Sequence, residues 1–127
     1  MPGRLVHFEL PATDVDRAQS FYEQLFGWSF STWEGPFDYR MTNAGGDPGG
    51  AIYKSEGRGP GPIVYFDVDD IDADSARARE LGGTAEEKVP IPGVGWMATC
   101  HDPEGNEVRL FQSDESAPMP EGRHESR

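Results

Sequence analysis

LVHFELPATDVDRAQSFYEQLFGW, residues 5–28, is the stretch whose reading decides the fold. Its opening alternates, with Val6, Phe8 and Leu10 on one face and Leu5, His7 and Glu9 on the other, as a half-buried strand does. The strand is expected over residues 4–10, ended by Pro11, which lacks a ladder donor. The period then becomes helical. Val15, Ala18, Phe21, Tyr22, Leu25 and Phe26 make one broad apolar stripe. Asp14 is placed to cap that helix, with Thr13 as its rival, and Gly27 to close it. The stripe is expected to pack on Val6, Phe8 and Leu10, which leaves the face with His7 and Glu9 for another use.

The same unit returns as IVYFDVDDIDADSARARELGG, residues 63–83. Asp69 or Asp70 caps this second helix, and its thinner stripe is Ile71, Ala76 and Leu81. Two copies of one strand–helix unit in a short chain indicate a repeated module. Period-two patterns follow each copy. In the first half they predict strands over 28–33, 37–42 and 51–54, with NAGGDPGG (43–50) read as a loop. In the second half they predict strands over 84–89, 96–101 and 107–112, with PIPGVG a loop and DPEGN (102–106) a hairpin turn. SEGRGPGP (55–62) is Gly/Pro-rich and reads as the linker. The expected organisation is therefore α+β: module one over 4–54, module two over 63–112, each βαβββ, with curled mixed sheets around a cavity. Residues 113–127 are polar and aperiodic, and are expected to be a flexible tail.

The chain has 127 residues, enough for a real core. Its formal net charge of −12 argues against nucleic acid and anionic membranes, which select basic surfaces. Cys100 is the single cysteine, so no internal disulfide can form. No stretch is apolar and long enough for a signal peptide or a bilayer span. A cytoplasmic location is the expectation.

The opening VHFELP, the helix RAQSFYEQLFGW and the ending DPEGNEVRLFQ, set in two βαβββ halves, resemble the vicinal oxygen chelate superfamily, which contains glyoxalase I, bleomycin-resistance proteins and extradiol dioxygenases. The resemblance covers residues 4–112, and PGVGWMATCHDPEGN is similar to a subgroup known as glyoxalase-like. It implies a cavity for a small organic molecule and commonly a homodimer. In metal-using members it implies ligands on the first strand of each half and on the last strand, around a divalent ion that acts as a Lewis acid. Carried over residue by residue, His7 matches the first position. The second falls on Ile63 or Tyr65, the last on Arg109, and the fourth-strand position within 51–54, which holds no carboxylate or imidazole. A guanidinium cannot ligate a cation, so a divalent metal would have an incomplete ligand set, with His7 the one matched position.

His7 is a candidate pocket base or ligand partner; its structural reading is a histidine satisfied by Glu9, Tyr65 or a backbone group. Glu9, on the same face, is a candidate general base or a charge partner of Arg109. Arg109 could hold a carboxylate or phosphate with its planar fork, or pair with Glu9, Asp67 or Glu107. Trp33, Tyr39, Tyr53, Tyr65 and Trp96 form an aromatic set suited to a planar or apolar ligand, with core packing as the alternative for at least half of them. Cys100 reads as a buried, inert thiol. The expectation is a glyoxalase/bleomycin-resistance-type protein that binds a small organic molecule without the full metal site. The alternative is a metal-dependent glyoxalase-like lyase or dioxygenase with His7 as one ligand.

Overall fold

Strand β1 (Leu5–Ala12) and helix α1 (Val15–Phe26) form where alternation and helical period place them. They belong to a computed structural model that describes residues 3–56 and 61–118. These residues divide into two units: 5–64, and 65–118 together with residues 3–4.

In the first unit β2 (Ser31–Thr32), β3 (Tyr39–Thr42) and β4 (Gly49–Lys54) follow α1, and the strand order is β2-β3-β4-β1. β1 and β4 run parallel, with His7 opposite Gly49 and Glu9 opposite Ala51. β3 is antiparallel to both β4 and β2. Asp14 caps α1, its Oδ1 accepting the Arg17 N–H at 3.0 Å. Gly27 closes the helix at φ 75°, giving its N–H to Glu23 O at 2.9 Å.

Pro11 does not end β1. Pairing with β4 continues to Ala12, whose carbonyl accepts the Ser55 N–H at 2.8 Å; proline removes only its own donor. Nor is Gly49-Gly50 loop. Both residues lie in β4, and a Cβ on Gly50 would come within 2.5 Å of the Phe8 ring. These glycines let a phenyl ring lie against the backbone of the neighbouring strand. The strand expected over 28–33 shrinks to two residues because Trp28 is used elsewhere. Its ring stacks on Tyr22 at 5.3 Å and lies 6.3 Å from Phe8, filling the space under α1.

The stripe of α1 is wider than the surface that covers it. Val15 is buried and Ala18 and Tyr22 are half-buried, a seam of i, i+3, i+7 spacing. Phe21, Leu25 and Phe26 are each 57% exposed.

The last three residues of β5 (Ile63–Asp67) open the second unit. Helix α2 (Ile71–Glu80), β6 (Thr84–Ala85), β7 (Val89–Ile91), β8 (Gly95–His101) and β9 (Glu107–Ser113) follow. The order is β5-β9-β8-β6, and β7 also pairs with β8. Asp70 caps α2 through the Ala73 N–H at 3.1 Å, and Gln112 Oε1 accepts the Ile71 N–H at 2.8 Å. Ile71 and Ser75 are the buried residues of α2, in place of the expected Ile71, Ala76 and Leu81. Leu81 falls past the last helical residue and is 62% exposed. Val68, Ile71 and Ala98 form the core cluster, with Trp96 and Leu110 packed against it.

The strand expected over 84–89 splits into β6 and β7, and Pro90-Ile91 of the expected loop belongs to β7. Asp102 builds the hairpin turn, its Oδ1 accepting the N–H groups of Glu104 and Asn106, both at 2.9 Å. The chain beyond 112 is held further than expected. Ser113 lies in β9, the Asp114 N–H donates to Val94 O at 2.9 Å, the Gly93 N–H donates to Ala117 O at 3.1 Å, and Ala117 is buried. The rest of the expected tail, 119–127, and residues 57–60 of the expected linker lie outside the described residues. Among the described residues no helix is long and apolar enough to cross a membrane.

Candidate functional site

The pleat of β1 sends Phe8 toward Trp28 and α1, and therefore sends His7 and Glu9 to the opposite face. β3 delivers Tyr39 to that face. The Tyr39 hydroxyl donates to Glu9 Oε2 at 2.6 Å and lies 2.7 Å from His7 Nε2. A phenol has one proton. With that proton on the bond to Glu9, the Tyr39 oxygen is left as an acceptor, the partner a His7 ring N–H would take at Nε2. Tyr39 thus links His7 to Glu9 through one hydroxyl.

Burial lowers the His7 pKa from its ordinary 6.5, and the Glu9 carboxylate, 3.9 Å from Nε2, partly opposes that shift. The ring is accordingly neutral at pH 7. Glu9 is buried, whereas the His7 side chain keeps 32% of its surface open to solvent. Buried carboxylates need hydrogen-bond donors, and Tyr39 supplies one.

Aromatic side chains continue from this chain. The Tyr39 ring lies 6.4 Å from that of His7, tilted by 24°, and meets Trp33 edge-on at 5.8 Å. Phe37, 56% exposed, lies 4.9 Å from Trp33 and 5.9 Å from Tyr39. Trp33 lies over Gly35, where a Cβ would run into its six-membered ring. Glycine at 35 is therefore what allows the indole to fold back on its own turn. Tyr53 sits directly opposite Tyr39 on β4. An open groove of about 480 Å³, lined by Phe30, Ser31, Met41, Thr42 and Gly49 among others, follows the same strands.

The second unit holds a separate cluster. Arg109 Nη1 donates to the Tyr65 hydroxyl at 2.7 Å, and the guanidinium lies 5.5 Å from the Tyr65 ring centre. Its Nε and Nη2 both reach Glu107 Oε2, at 3.3 and 3.2 Å. Glu107 is thus one of the charge partners expected for Arg109. Strand alternation puts Phe111 on the Arg109 face of β9, and register adds Thr99 and Met97 of β8. Trp96 is on the other face. It packs with the core beside Leu110, gives its Nε1–H to Asp114 Oδ2 at 3.0 Å, and has Lys88 Nζ 4.6 Å from its ring centre. Its role is packing, and it does not join Tyr65 and Arg109. Cys100 is buried, and burial raises its thiol pKa.

Of the expected site residues, His7, Glu9, Trp33 and Tyr39 come together within the first unit, with Tyr53 beside Tyr39. Phe37 and Gly35 belong with them and were not expected there. Phe37 was legible as the partner of Tyr39 in the period-two pattern 37-39-41. Gly35 looked like ordinary turn chemistry, and only the Trp33 ring over it shows otherwise.

The donor set does not fit a divalent metal. Among the described residues no three His, Cys, Asp or Glu side chains gather as a metal group requires. The positions facing His7 and Glu9 across the β1–β4 pair are Gly49 and Ala51, and the last-strand position carries the Arg109 cation.

The repeated strand–helix–strands unit, with its helix on one sheet face and polar and aromatic side chains on the other, defines an α+β protein of the vicinal oxygen chelate class. The glyoxalase-like domain family matches residues 6–111, and the chain belongs to that family. It is 37% identical over 108 residues to the Mycobacterium tuberculosis protein named Putative glyoxylase CFP32, a match covering 81% of this chain and 41% of that protein. It is 32% identical over 115 residues to a glyoxylase-like domain-containing protein of Didymella fabae, covering 82% and 89%. It is 30% identical over 125 residues to the anthracycline biosynthesis protein DnrV of Streptomyces peucetius, covering 82% and 45%. The chain thus spans about two fifths of the length of the mycobacterial relative it matches. Among solved structures, a methylmalonyl-CoA epimerase in complex with methylmalonyl-CoA superposes with a TM-score of 0.68 at 19% identity, over 94% of this chain and 100% of that one. That likeness concerns the fold.

Proposed function

We propose that this chain binds a small, planar organic molecule on the sheet face that carries His7, Tyr39, Trp33 and Phe37, and does so without a metal. The observation behind this reading is the exposed Trp33–Phe37 pair, continuous through Tyr39 with a partly open, neutral histidine. Large aromatics left at the surface beside a few fixed polar groups suit a flat apolar ligand. The donor set supports the metal-free form over a metal-dependent lyase or dioxygenase, because the Lewis-acid chemistry of those enzymes needs several ligands and the matching positions offer one imidazole. A role in sequestering such a molecule, as bleomycin-resistance proteins do, is compatible with this face, as is a cytoplasmic homodimer.

Two measurements test the proposal. The first is titration of intrinsic tryptophan fluorescence with 4-nitrophenol and 1-naphthol. Saturable quenching is expected in the native protein, and it should weaken at least several-fold in Trp33→Ala and Phe37→Ala. Absence of saturation would defeat the reading. The second is elemental analysis after incubation with nickel, zinc, iron(II) and manganese, beside His7→Ala. Near-stoichiometric metal in the native protein, lost in the variant, would restore the metal-dependent alternative.

A further inference from the structure

We propose that Arg40 is a positioning residue for the ligand face: from the opposite side of the sheet it grips Asp38 in a fork and so fixes the turn that presents Phe37 and Tyr39. This rests on the reading of that face as a small-molecule site, and adds a residue that shapes the face without touching the ligand.

The turn has little else to hold it. It joins the two-residue edge strand β2 to β3. Its backbone is tied at the ends, where the Trp33 N–H donates to Tyr39 O at 2.9 Å and the Lys54 N–H to Asp38 O at 3.1 Å. Between them, residues 34–37 make no hydrogen bond among the described residues. Asp38 and Arg40 flank Tyr39, so alternation turns both away from the ligand face and toward α1. There Arg40 donates from Nε to Asp38 Oδ1 at 2.6 Å and from Nη2 to Asp38 Oδ2 at 3.1 Å. Two parallel bonds fix the plane of the carboxylate as well as its position. The third nitrogen, Nη1, reaches α1 and donates to Asp16 Oδ1 at 3.0 Å and Gln19 Oε1 at 2.9 Å. All three guanidinium nitrogens are used, and the Arg40 side chain keeps only 18% of its surface open. Arg40 thus straps the turn to a helix that is capped by Asp14 and anchored by buried Val15. Isolated surface ion pairs contribute little, but this one is largely buried, bidentate and bridges two elements. A lysine ammonium is a point charge and cannot keep the fork on Asp38 while reaching the helix. Without the strap, Phe37 has to be ordered when the ligand arrives, and binding bears that cost.

The test compares native protein with Arg40→Lys and Asp38→Asn, each titrated with 1-naphthol and read by tryptophan quenching. Ile71→Val, which removes a methyl from the core of the second unit, controls for lost stability alone. Arg40→Lys is expected to bind roughly three- to tenfold more weakly, the cost of ordering one loosened aromatic side chain. Asp38→Asn, which leaves Arg40 its ties to α1, should lose about two- to threefold and serves if Arg40→Lys does not fold. The steady-state nitrogen–proton Overhauser effect at the backbone amides of residues 37–39 should fall in both variants and hold in Ile71→Val. Binding within twofold of native in both Arg40→Lys and Asp38→Asn, or an unchanged Overhauser effect, overturns the positioning role and leaves the ligand face standing. So does an equal loss of binding in Ile71→Val, because the loss then follows stability alone. Failure of the native protein to bind 1-naphthol overturns the site reading and this proposal with it.

Discussion

Replacing Gly50 with alanine tests the packing that sets the site's foundation. Gly50 faces Phe8 across the parallel β1–β4 pair, and a Cβ there would stand 2.5 Å from two atoms of the phenyl ring and 2.6 Å from a third. Carbon atoms in contact sit about 3.5–4.0 Å apart, so the ring must retreat by about 1 Å. Little room is left for that, since Trp28 lies 6.3 Å away and Tyr22 stacks on Trp28. Nor can the backbone yield cheaply, because β4 is paired on both sides, with β1 and with β3. Overpacking of this kind costs about 1–3 kcal/mol, which for a chain of this size lowers Tm by on the order of 5–15 °C. Urea denaturation should show a lower midpoint at an unchanged m-value. Removing the obstructing ring supplies the control. In Phe8→Leu/Gly50→Ala the loss should fall short of the summed single losses by at least about 1 kcal/mol, the coupling of two residues in contact. A Gly50→Ala protein within about 0.5 kcal/mol of native, or strictly additive losses in the double variant, would refute the argument that Phe8 requires glycine in β4.

Two more outcomes follow from the site. Gly35→Ala should displace the Trp33 ring, changing near-ultraviolet circular dichroism and weakening 4-nitrophenol binding several-fold. Global stability should move by no more than about 1 kcal/mol, because aromatic pairs at the surface contribute about 0.5–1.5 kcal/mol each; unchanged binding would remove Trp33 from the site. The His7 pKa is lowered in the folded state by burial, so below pH 6.5 the unfolded chain takes up a proton that the folded chain resists. Stability should therefore decline as pH falls from 6.5 toward the folded value, and His7→Gln should flatten that part of the curve; parallel profiles for the two proteins would show that His7 is not held neutral by the fold.

The fold was legible where one face of an element is buried and unreadable where a residue has two uses. Alternation in β1, the caps at Asp14 and Asp70 and the DPEGN turn depend on local chemistry, and they stand where the sequence puts them. Gly49-Gly50 looked like loop because glycine usually marks one, yet here it makes room for a ring on the neighbouring strand. Trp28 alternated like a strand residue, but its ring fills the space under α1. In α2 the polar Ser75 takes a buried position that periodicity gave to Ala76. The site was half legible for the same reason. Period two put His7 and Glu9 on one face and Tyr39 among the aromatics, but it could not place Tyr39 between them across 30 residues of chain. Trp96 misled because a large aromatic on a strand reads alike on either face.

Why a tyrosine should stand at position 39 follows from counting protons. A water molecule between His7 and Glu9 could donate to both, or accept from one and donate to the other, and would leave the imidazole free to choose its tautomer. An asparagine or glutamine amide could present either end. A phenol offers one proton and takes its position from a ring fixed in the sheet, so its direction is set by whichever neighbour can only accept. Glu9, whose Oε2 takes the Tyr39 O–H, is that neighbour. The carboxylate therefore reaches His7 through Tyr39, and one phenol serves both groups. A phenylalanine at 39 would keep most of the aromatic packing and lose that link, whether or not water refilled the gap. Loss of affinity in Tyr39→Phe would therefore separate the hydroxyl that joins His7 to Glu9 from the ring that packs against Trp33 and Phe37.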